Sequence, residues 1–214
     1  MWGREELMNV LVIGAAGKTG SLVVERALAA GHRVTAFARE ASVGKAATGV
    51  SVITGDATDR ASLDKAMVGQ DAVIDTIGGK TPYRETTLER SVAGAVVASM
   101  KANGVRRLVV ISAFGVGDSA DQASWFVKHV IVPTWLRGST ADKAAMEAVV
   151  RASDIAFVIV RPAMLIDLDA TGSVKIFEEH NTAHKITRAD VAQFCVEQLT
   201  SDAHVGCAVT IANS

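Results

Sequence analysis

Cysteine, proline and tyrosine are scarce in this chain of 214 residues, at two, three and one, and aromatic residues make up only 5% of it. Cys195 and Cys207 offer no disulfide framework and no close metal-ligand spacing, so both read as small buried hydrophobes, one in a helix and one in a strand. Charge of one sign is lacking too. A formal net charge of −1 with 21% charged residues gives no broad basic field, which leaves nucleic acid and anionic membranes as poor partners. No uninterrupted apolar run reaches the roughly 20 residues that cross a bilayer. The start, Met1-Trp-Gly-Arg-Glu-Glu6, has no basic segment leading into a cleavable apolar stretch, so a cytoplasmic protein is expected, with 1–7 as a surface extension. Pro82, Pro133 and Pro162 form no linker, and no solenoid-scale repeat or low-complexity block occurs. The length suits one domain over 1–214, with a core large enough to need neither disulfide nor metal.

What is abundant is alternation. Strand-like runs at Val10–Gly14, Arg33–Ala38, Val50–Thr54, Ala72–Ile77, Arg107–Ser112 and Ala156–Val160 are separated by segments of helical length and pattern. Such a rhythm predicts an α/β, Rossmann-like fold, a doubly wound parallel sheet with helices on both faces and right-handed crossovers. The near-continuous apolar character of the runs fits strands covered on both sides. Ser21–Ala30, Arg60–Val68, Thr86–Asn103 and Ala141–Ala152 supply the cover.

The first of these units carries the most chemistry. Val10-Leu-Val-Ile13 leads into Gly14-Ala-Ala-Gly17-Lys-Thr-Gly20, and a helix-like stretch follows. Gly14 permits a sharp exit from a strand, Gly17 removes a side chain where a pyrophosphate must approach the backbone, and Gly20 lets the helix pack closely. The helix's free amides then face the phosphates, so Gly14, Ala16, Gly17, Lys18, Thr19 and Gly20 are candidate dinucleotide contacts. Gly17-Lys18-Thr19 imitates the end of a nucleotide-triphosphate loop, but that loop needs a glycine five positions before Gly17, where Val12 stands. A purely structural glycine turn is the plainer alternative.

Arg39 ends the second strand, close to where NAD-selective sites place an acid for the ribose hydroxyl. A guanidinium there favours the 2′-phosphate of NADP, and Lys18 adds a second positive charge, so NADPH is preferred over NADH. Glu40, turned inward, would argue the other way. Asp56, in Thr54-Gly-Asp-Ala-Thr58, is placed to accept from the adenine amine with Ala57 beside the ring, or else to cap the next turn. Thr76, Ile77 and Gly78 end the fourth strand with a backbone that can approach ribose and phosphate.

Together these residues resemble the atypical short-chain dehydrogenase/reductases, in particular the NmrA-like group and its flavin reductase (biliverdin-IXβ reductase) branch. The likeness runs from Val10 to about Ala212 through the glycine turn, Arg39, Gly55-Asp-Ala57 and Val109-Val-Ile-Ser-Ala-Phe114. It continues in Lys143-Ala-Ala-Met-Glu147, Ile159-Val-Arg-Pro162 and Ile186-Thr-Arg-Ala-Asp190-Val. The resemblance implies that Ser112 sits beside the nicotinamide and an acceptor, that Lys143 contacts the cofactor ribose or phosphate, and that the backbone at Pro162-Ala163 cradles the nicotinamide amide. It also exposes a departure. Most catalytic members carry a tyrosine four residues before a lysine, whereas here Ser139 stands four before Lys143, and Tyr83, the only tyrosine, has Thr87 four residues after it. A serine hydroxyl is a far poorer acid than a phenol, which disfavours alcohol–ketone chemistry.

Flavins and quinones take hydride at an electrophilic ring and their proton from water. The expectation is therefore an NADPH-dependent reductase of such a planar acceptor, with a flavin as a possible substrate; the alternative is a non-catalytic NAD(P)-binding redox sensor that reports to a regulatory protein partner. Residues 113–138, rich in Trp125, Phe126, Pro133 and Trp135, read as a lid or as a surface for a homodimer or other partner, with 163–214 completing the pocket. His129 could meet an anionic acceptor there. His180 and His184 near Glu178 and Glu179 read as solvated side chains, with no metal expected. Ser139-Thr-Ala-Asp142 fits a capping box at the start of its helix.

Overall fold

Alternation with period two divides the inner strands cleanly. In β1 (Asn9–Ile13), Val10 and Val12 point to one face of the sheet while Leu11 and Ile13 point to the other, and all four are fully buried. The same split recurs in β4 (Ala72–Asp75), β5 (Arg107–Ile111) and β6 (Ala156–Pro162). Two cores result. On one face, Val23, Val24 and Ala27 of α1 (Lys18–Ala29) and Val191, Cys195 and Val196 of α5 (Arg188–Glu197) cover Val10, Val12, Ile74, Val109 and Val158. On the other, α2 (Arg60–Met67), α3 (Leu88–Asn103) and α4 (Arg137–Arg151) supply Leu63, Met67, Val92, Val96, Met146 and Val150 against Leu11, Val73, Leu108 and Ile159. Each fully buried aliphatic side chain contributes about 1.5–3 kcal/mol of transfer free energy, which makes this sandwich the main stabilising feature.

The computed structural model describes residues 7–45, 50–79, 86–117, 119, 137–177 and 185–214. Among them, the remaining strands are β2 (Arg33–Ala38), β3 (Ser51–Thr54), β7 (Met164–Ile166), β8 (Val174–Phe177), β9 (Lys185–Thr187) and β10 (Cys207–Asn213). The main sheet has the order β3-β2-β1-β4-β5-β6-β10-β8. Its pairings are parallel except for β8, which runs antiparallel to β10. The short strands β7 and β9 form a separate parallel pair. Strand order reverses between β1 and β4, and in such sheets ligands bind at that switch point, outside the carboxyl ends of the strands.

The doubly wound sheet expected from sequence is therefore present, with differences at the ends of elements. Helix α1 begins at Lys18 rather than Ser21, directly behind Gly17 at its N-cap. Helix α4 begins at Arg137 rather than Ala141, so Ser139 and Asp142 lie inside the helix and form no capping box at its start. Cys195 is buried, with burial pushing its thiol up to about 12. Cys207 is exposed, against expectation, because it opens β10 straight after the 203–206 turn. No helix among the described residues is long and apolar enough to cross a membrane. The aromatic segment with Trp125, Phe126, His129 and Trp135, the Glu178–His184 stretch and Tyr83 lie outside the described residues.

Candidate active site

The glycine turn is shaped by what surrounds it. Gly14 has φ +78°, in the region that favours glycine, and its amide donates to the Phe37 carbonyl of β2 at 3.1 Å. The Gly17 amide donates back to the Gly14 carbonyl at 2.8 Å, which tightens the loop. A Cβ on Gly20 would run into the Gly14 carbonyl oxygen and lie 2.7 Å from Thr76 Oγ1. Thr76 Oγ1 in turn donates to the Ile13 carbonyl at 2.8 Å, so the end of β4 braces the turn from behind. Gly17 brings no side chain to the first-turn amides of α1, and no side-chain cap satisfies them. Open first-turn amides of this kind are suited to an anion such as a diphosphate. The residues present therefore fit a dinucleotide, as the sequence motif implied.

Arg39 and Asp56, the expected ribose-phosphate and adenine contacts, both follow strands at the same edge of the sheet. Arg39 is exposed one residue beyond β2, and its charge reaches Asp56 beyond the end of β3. Asp56 does not cap α2. Its Oδ1 accepts from the Thr58 amide and hydroxyl, both at 2.8 Å, and these bonds hold the carboxyl below its usual range. The cap of α2 is Asp59, which accepts from the amides of Ala61 and Ser62 at 3.2 and 3.1 Å. Ala57 is buried beside it. Lys18 is exposed and paired to Asp167 at 2.6 Å. Arg188 holds the other oxygen of Asp167 at 2.7 Å and also donates to Thr19 Oγ1 at 3.2 Å. The two cations, Lys18 first, keep the Asp167 carboxyl below its usual range.

The end expected to face the nicotinamide is built by the period-two pattern continued one step past the apolar residues. Asp75 stands two after Val73, Ser112 two after Val110 and Arg161 two after Ile159, each with the phase that faces α3 and α4. Since β4, β5 and β6 are neighbours in the sheet, these three polar groups form a row along its carboxyl edge. Across from them, Lys143 and Glu147 are one helical turn apart on α4, and Glu89 opens α3.

Every member of this row is engaged. Arg161 grips Glu147 with two bonds, Nε to Oε1 at 3.0 Å and Nη2 to Oε2 at 2.5 Å, and both residues are at most 3% exposed. Ser112 Oγ donates to Glu147 Oε1 at 2.6 Å. Because that carboxylate is held by a guanidinium, the serine proton points to it, and Ser112 can offer a ligand only its lone pairs. The loop after β5 closes over the pair: a Cβ on Gly117, whose φ is +59°, would lie 2.8 Å from Arg161 Nη2.

Lys143 Nζ donates to Glu89 Oε1 at 2.7 Å, and the same oxygen accepts from the Gly79 amide at 2.9 Å. Lys143 is thus no free helical surface residue; its side chain is 13% exposed and Glu89's 2%. Asp142 Oδ2 and Oδ1 accept from the amides of Glu89 and Arg90 at 3.0 and 3.1 Å, so Asp142 caps the neighbouring α3 and not its own helix. Burial pushes the Asp75 carboxyl up to about 7, against the opposing pull of the Ile77 amide and the Lys143 charge, with Glu89 adding to the push.

Of the expected nicotinamide contacts, the Ala163 amide is already committed to the Ile211 carbonyl at 2.9 Å, and the Pro162 carbonyl accepts from Phe114 at 3.0 Å. A carboxamide held there would therefore have to use the second lone pair of Pro162, with Ala163 serving only as a wall. Ile77 and Gly78 follow β4 with their backbone on the same edge. The residues missed from sequence are Asp75, Glu89, Glu147, Arg161, Asp167 and Arg188. Two of them carried a signal, since Asp75 and Arg161 are charges inside otherwise apolar strands, and such residues need partners.

Residues 14–202 match the model of a family described as NAD(P)H-binding. The chain belongs to that NAD(P)H-binding family. It is 29% identical over 210 residues to a (4-alkanoyl-5-oxo-2,5-dihydrofuran-3-yl)methyl phosphate reductase of Streptomyces griseus, covering 94% of this chain and 67% of that protein. It is also similar in structure to ChuY, an anaerobillin reductase from Escherichia coli O157:H7, with TM-score 0.78, 26% identity, and 96% and 97% of the two chains covered. A short-chain dehydrogenase/reductase from Veillonella parvula in complex with NADP shares the fold at TM-score 0.75 and 15% identity, over 96% and 94% of the chains. The chain spans only 36% of the length of some other reductases it matches. These relatives agree with the resemblance to NAD(P)-binding reductases read from the sequence.

Proposed function

We propose that this NAD(P)H-binding protein is an NADPH-dependent reductase of a planar acceptor, such as a flavin, a quinone or a related tetrapyrrole. The observation that carries this reading is the commitment of the Ser112 proton to Glu147, in a chain with Ser139 four residues before Lys143, where most catalytic members of the resembled group carry tyrosine. Ser112 cannot act as the acid that a carbonyl substrate requires, whereas a planar electrophilic ring needs positioning and the exclusion of water. Likeness to an anaerobillin reductase supports the class of acceptor.

The phosphate end would be held by Gly14, Ala16, Gly17, Thr19 and Gly20 around the first amides of α1, and Arg39 would meet the 2′-phosphate. Asp56 and Ala57 would flank the adenine. Thr76, Ile77 and Gly78 would back the ribose and diphosphate, and Lys143, fixed by Glu89, would reach the nicotinamide ribose. When bound, NADPH supplies a hydride to the acceptor and leaves as NADP⁺, the balancing proton coming from water. Ser112 would accept a hydrogen bond from an N–H of the carboxamide or of the acceptor. Lys18 would turn to phosphate only by leaving Asp167.

The test is NADPH consumption by purified protein with FMN, FAD, menadione and biliverdin supplied separately. Saturable turnover with one of them is expected. Bound NADPH without turnover would favour a redox sensor acting through a protein partner. Arg39→Ala is expected to weaken NADPH about ten- to a hundredfold, the value of a charge-assisted bond, and to leave NADH nearly unchanged. Equal loss of both would remove the 2′-phosphate assignment.

A further inference from the structure

Glu89 is a buried acid at an unusual junction. It lies on the first turn of α3, its Oε1 holds the Lys143 ammonium of α4 at 2.7 Å and the Gly79 amide beyond β4 at 2.9 Å, and its Oε2 is buried with no hydrogen-bond partner among the described residues. Asp142 returns the contact from α4 to the amides of Glu89 and Arg90. The two helices are therefore braced reciprocally, and the brace includes the backbone turn at Gly79. A buried carboxylate oxygen left without a partner is costly, so this acid calls for a role beyond bracing two helices.

We propose that Glu89 is a positioning residue of the cofactor site, fixing Lys143 and the Gly79 turn as one unit and tying that unit, through Asp75, to the protonation state of the pocket. The inference rests on the cofactor reading above. Asp75 Oδ1 accepts from the Ile77 amide at 2.9 Å, on the same turn that carries Gly79 to Glu89, and the charges that act on it are Lys143 of α4 and Glu89 of α3, with Asp142 turned away onto the α3 amides. With Asp75 protonated, Glu89 and Lys143 form a neutral pair. Once Asp75 ionises, a second carboxylate competes for Lys143 and adds negative charge beside the place where phosphates bind. Asp75 changes state near pH 7, so the grip on Lys143 loosens above neutrality.

The test compares wild type, Glu89→Gln and Asp75→Asn, each checked for folding by circular dichroism. NADPH affinity is read by nicotinamide fluorescence from about pH 5.5 to about pH 9, on either side of the carboxyl's midpoint. Infrared titration of the protonated carboxyl band is run without cofactor. Wild-type affinity should fall as pH rises through neutrality. Glu89→Gln keeps an acceptor for Gly79 but loses the carboxylate charge that fixes Lys143, so affinity should drop about tenfold at low pH, the scale of one charge-assisted bond. Its carboxyl band should titrate at lower pH, because a like charge near Asp75 is gone. Asp75→Asn should flatten the affinity profile and remove the band.

Folded variants that share the wild-type profile and affinity would overturn the proposal. An unshifted band in Glu89→Gln would overturn the coupling on its own, whatever binds. Folded wild type that binds no NADPH at any pH would instead remove the cofactor reading, and the positioning role with it.

Discussion

Replacing Asp190 by Asn should unfasten the back of the site, and the structure gives the size of the effect. Asp190 is 2% exposed and stands in the first turn of α5. Its Oδ2 accepts from the Thr171 amide at 3.0 Å, the Thr171 and Thr187 hydroxyls at 2.8 Å and Asn213 Nδ2 at 2.7 Å, and Oδ1 accepts from the Gly172 amide at 3.0 Å. Burial pushes the carboxyl up, but these donors outweigh it and hold the group at about 2, against an ordinary value of 3.8. At 1.36 kcal/mol per pH unit, that gap corresponds to roughly 2.5 kcal/mol of stability at neutral pH. Between the two values the unfolded chain binds more protons than the folded one. The contribution is therefore complete above about pH 5 and about half lost by pH 3. An amide at this position also turns an NH₂ toward groups that are all donors, which adds about 1–3 kcal/mol at any pH. Urea unfolding should accordingly show Asp190→Asn destabilised by about 3–5 kcal/mol at pH 7, with the deficit shrinking in acid as wild type loses its advantage. A deficit under about 0.5 kcal/mol, or one that stays constant from neutrality to about pH 3, would refute the reasoning.

Gly20→Ala should cost about 1–3 kcal/mol or more, since its Cβ meets the rigid Gly14 carbonyl, and should abolish detectable NADPH binding by displacing the turn; calorimetric titration beside a melting curve checks both. Asp75→Asn should show the opposite pH trend to Asp190→Asn. The raised carboxyl favours the folded state fully below about pH 4, and that advantage is lost as pH rises to about 7, so the variant should gain up to roughly 4 kcal/mol on wild type between those limits. Parallel stability curves for the two proteins from acid to pH 8 would contradict this.

The first half of the site was legible because its chemistry is local in sequence. Strand, glycine turn and helix follow one another within Val10–Ala30, and Arg39 and Asp56 sit just beyond strands whose apolar runs are plain. The second half depends on juxtaposition. Nothing near Glu89 in sequence points to Lys143, because the pairing arises from the packing of α3 on α4, with Asp142 seated on the start of α3. Asp142 misled for the same reason: its spacing from Ser139 matches a capping box, yet the helix begins at Arg137 and the carboxylate finds amides in another element. The strands β7, β8 and β9 escaped notice because they are short, three or four residues each, with mixed polarity that periodicity cannot resolve.

The sheet acts as a partition between two lineages of change. The helix that follows the glycine turn packs on one face, and the row of Asp75, Ser112 and Arg161 with its partners from α3 and α4 packs on the other; Thr76, bonded to Ile13 behind Gly14 and Gly20, is the stitch between them. On the reading proposed above, substitutions among α3, α4 and the loop after β5, away from Glu89 and Lys143, would reshape the acceptor side without disturbing the glycine turn or the helix behind it. If it is the reductase proposed here, a chain built in this way would be free to change its acceptor while keeping its cofactor.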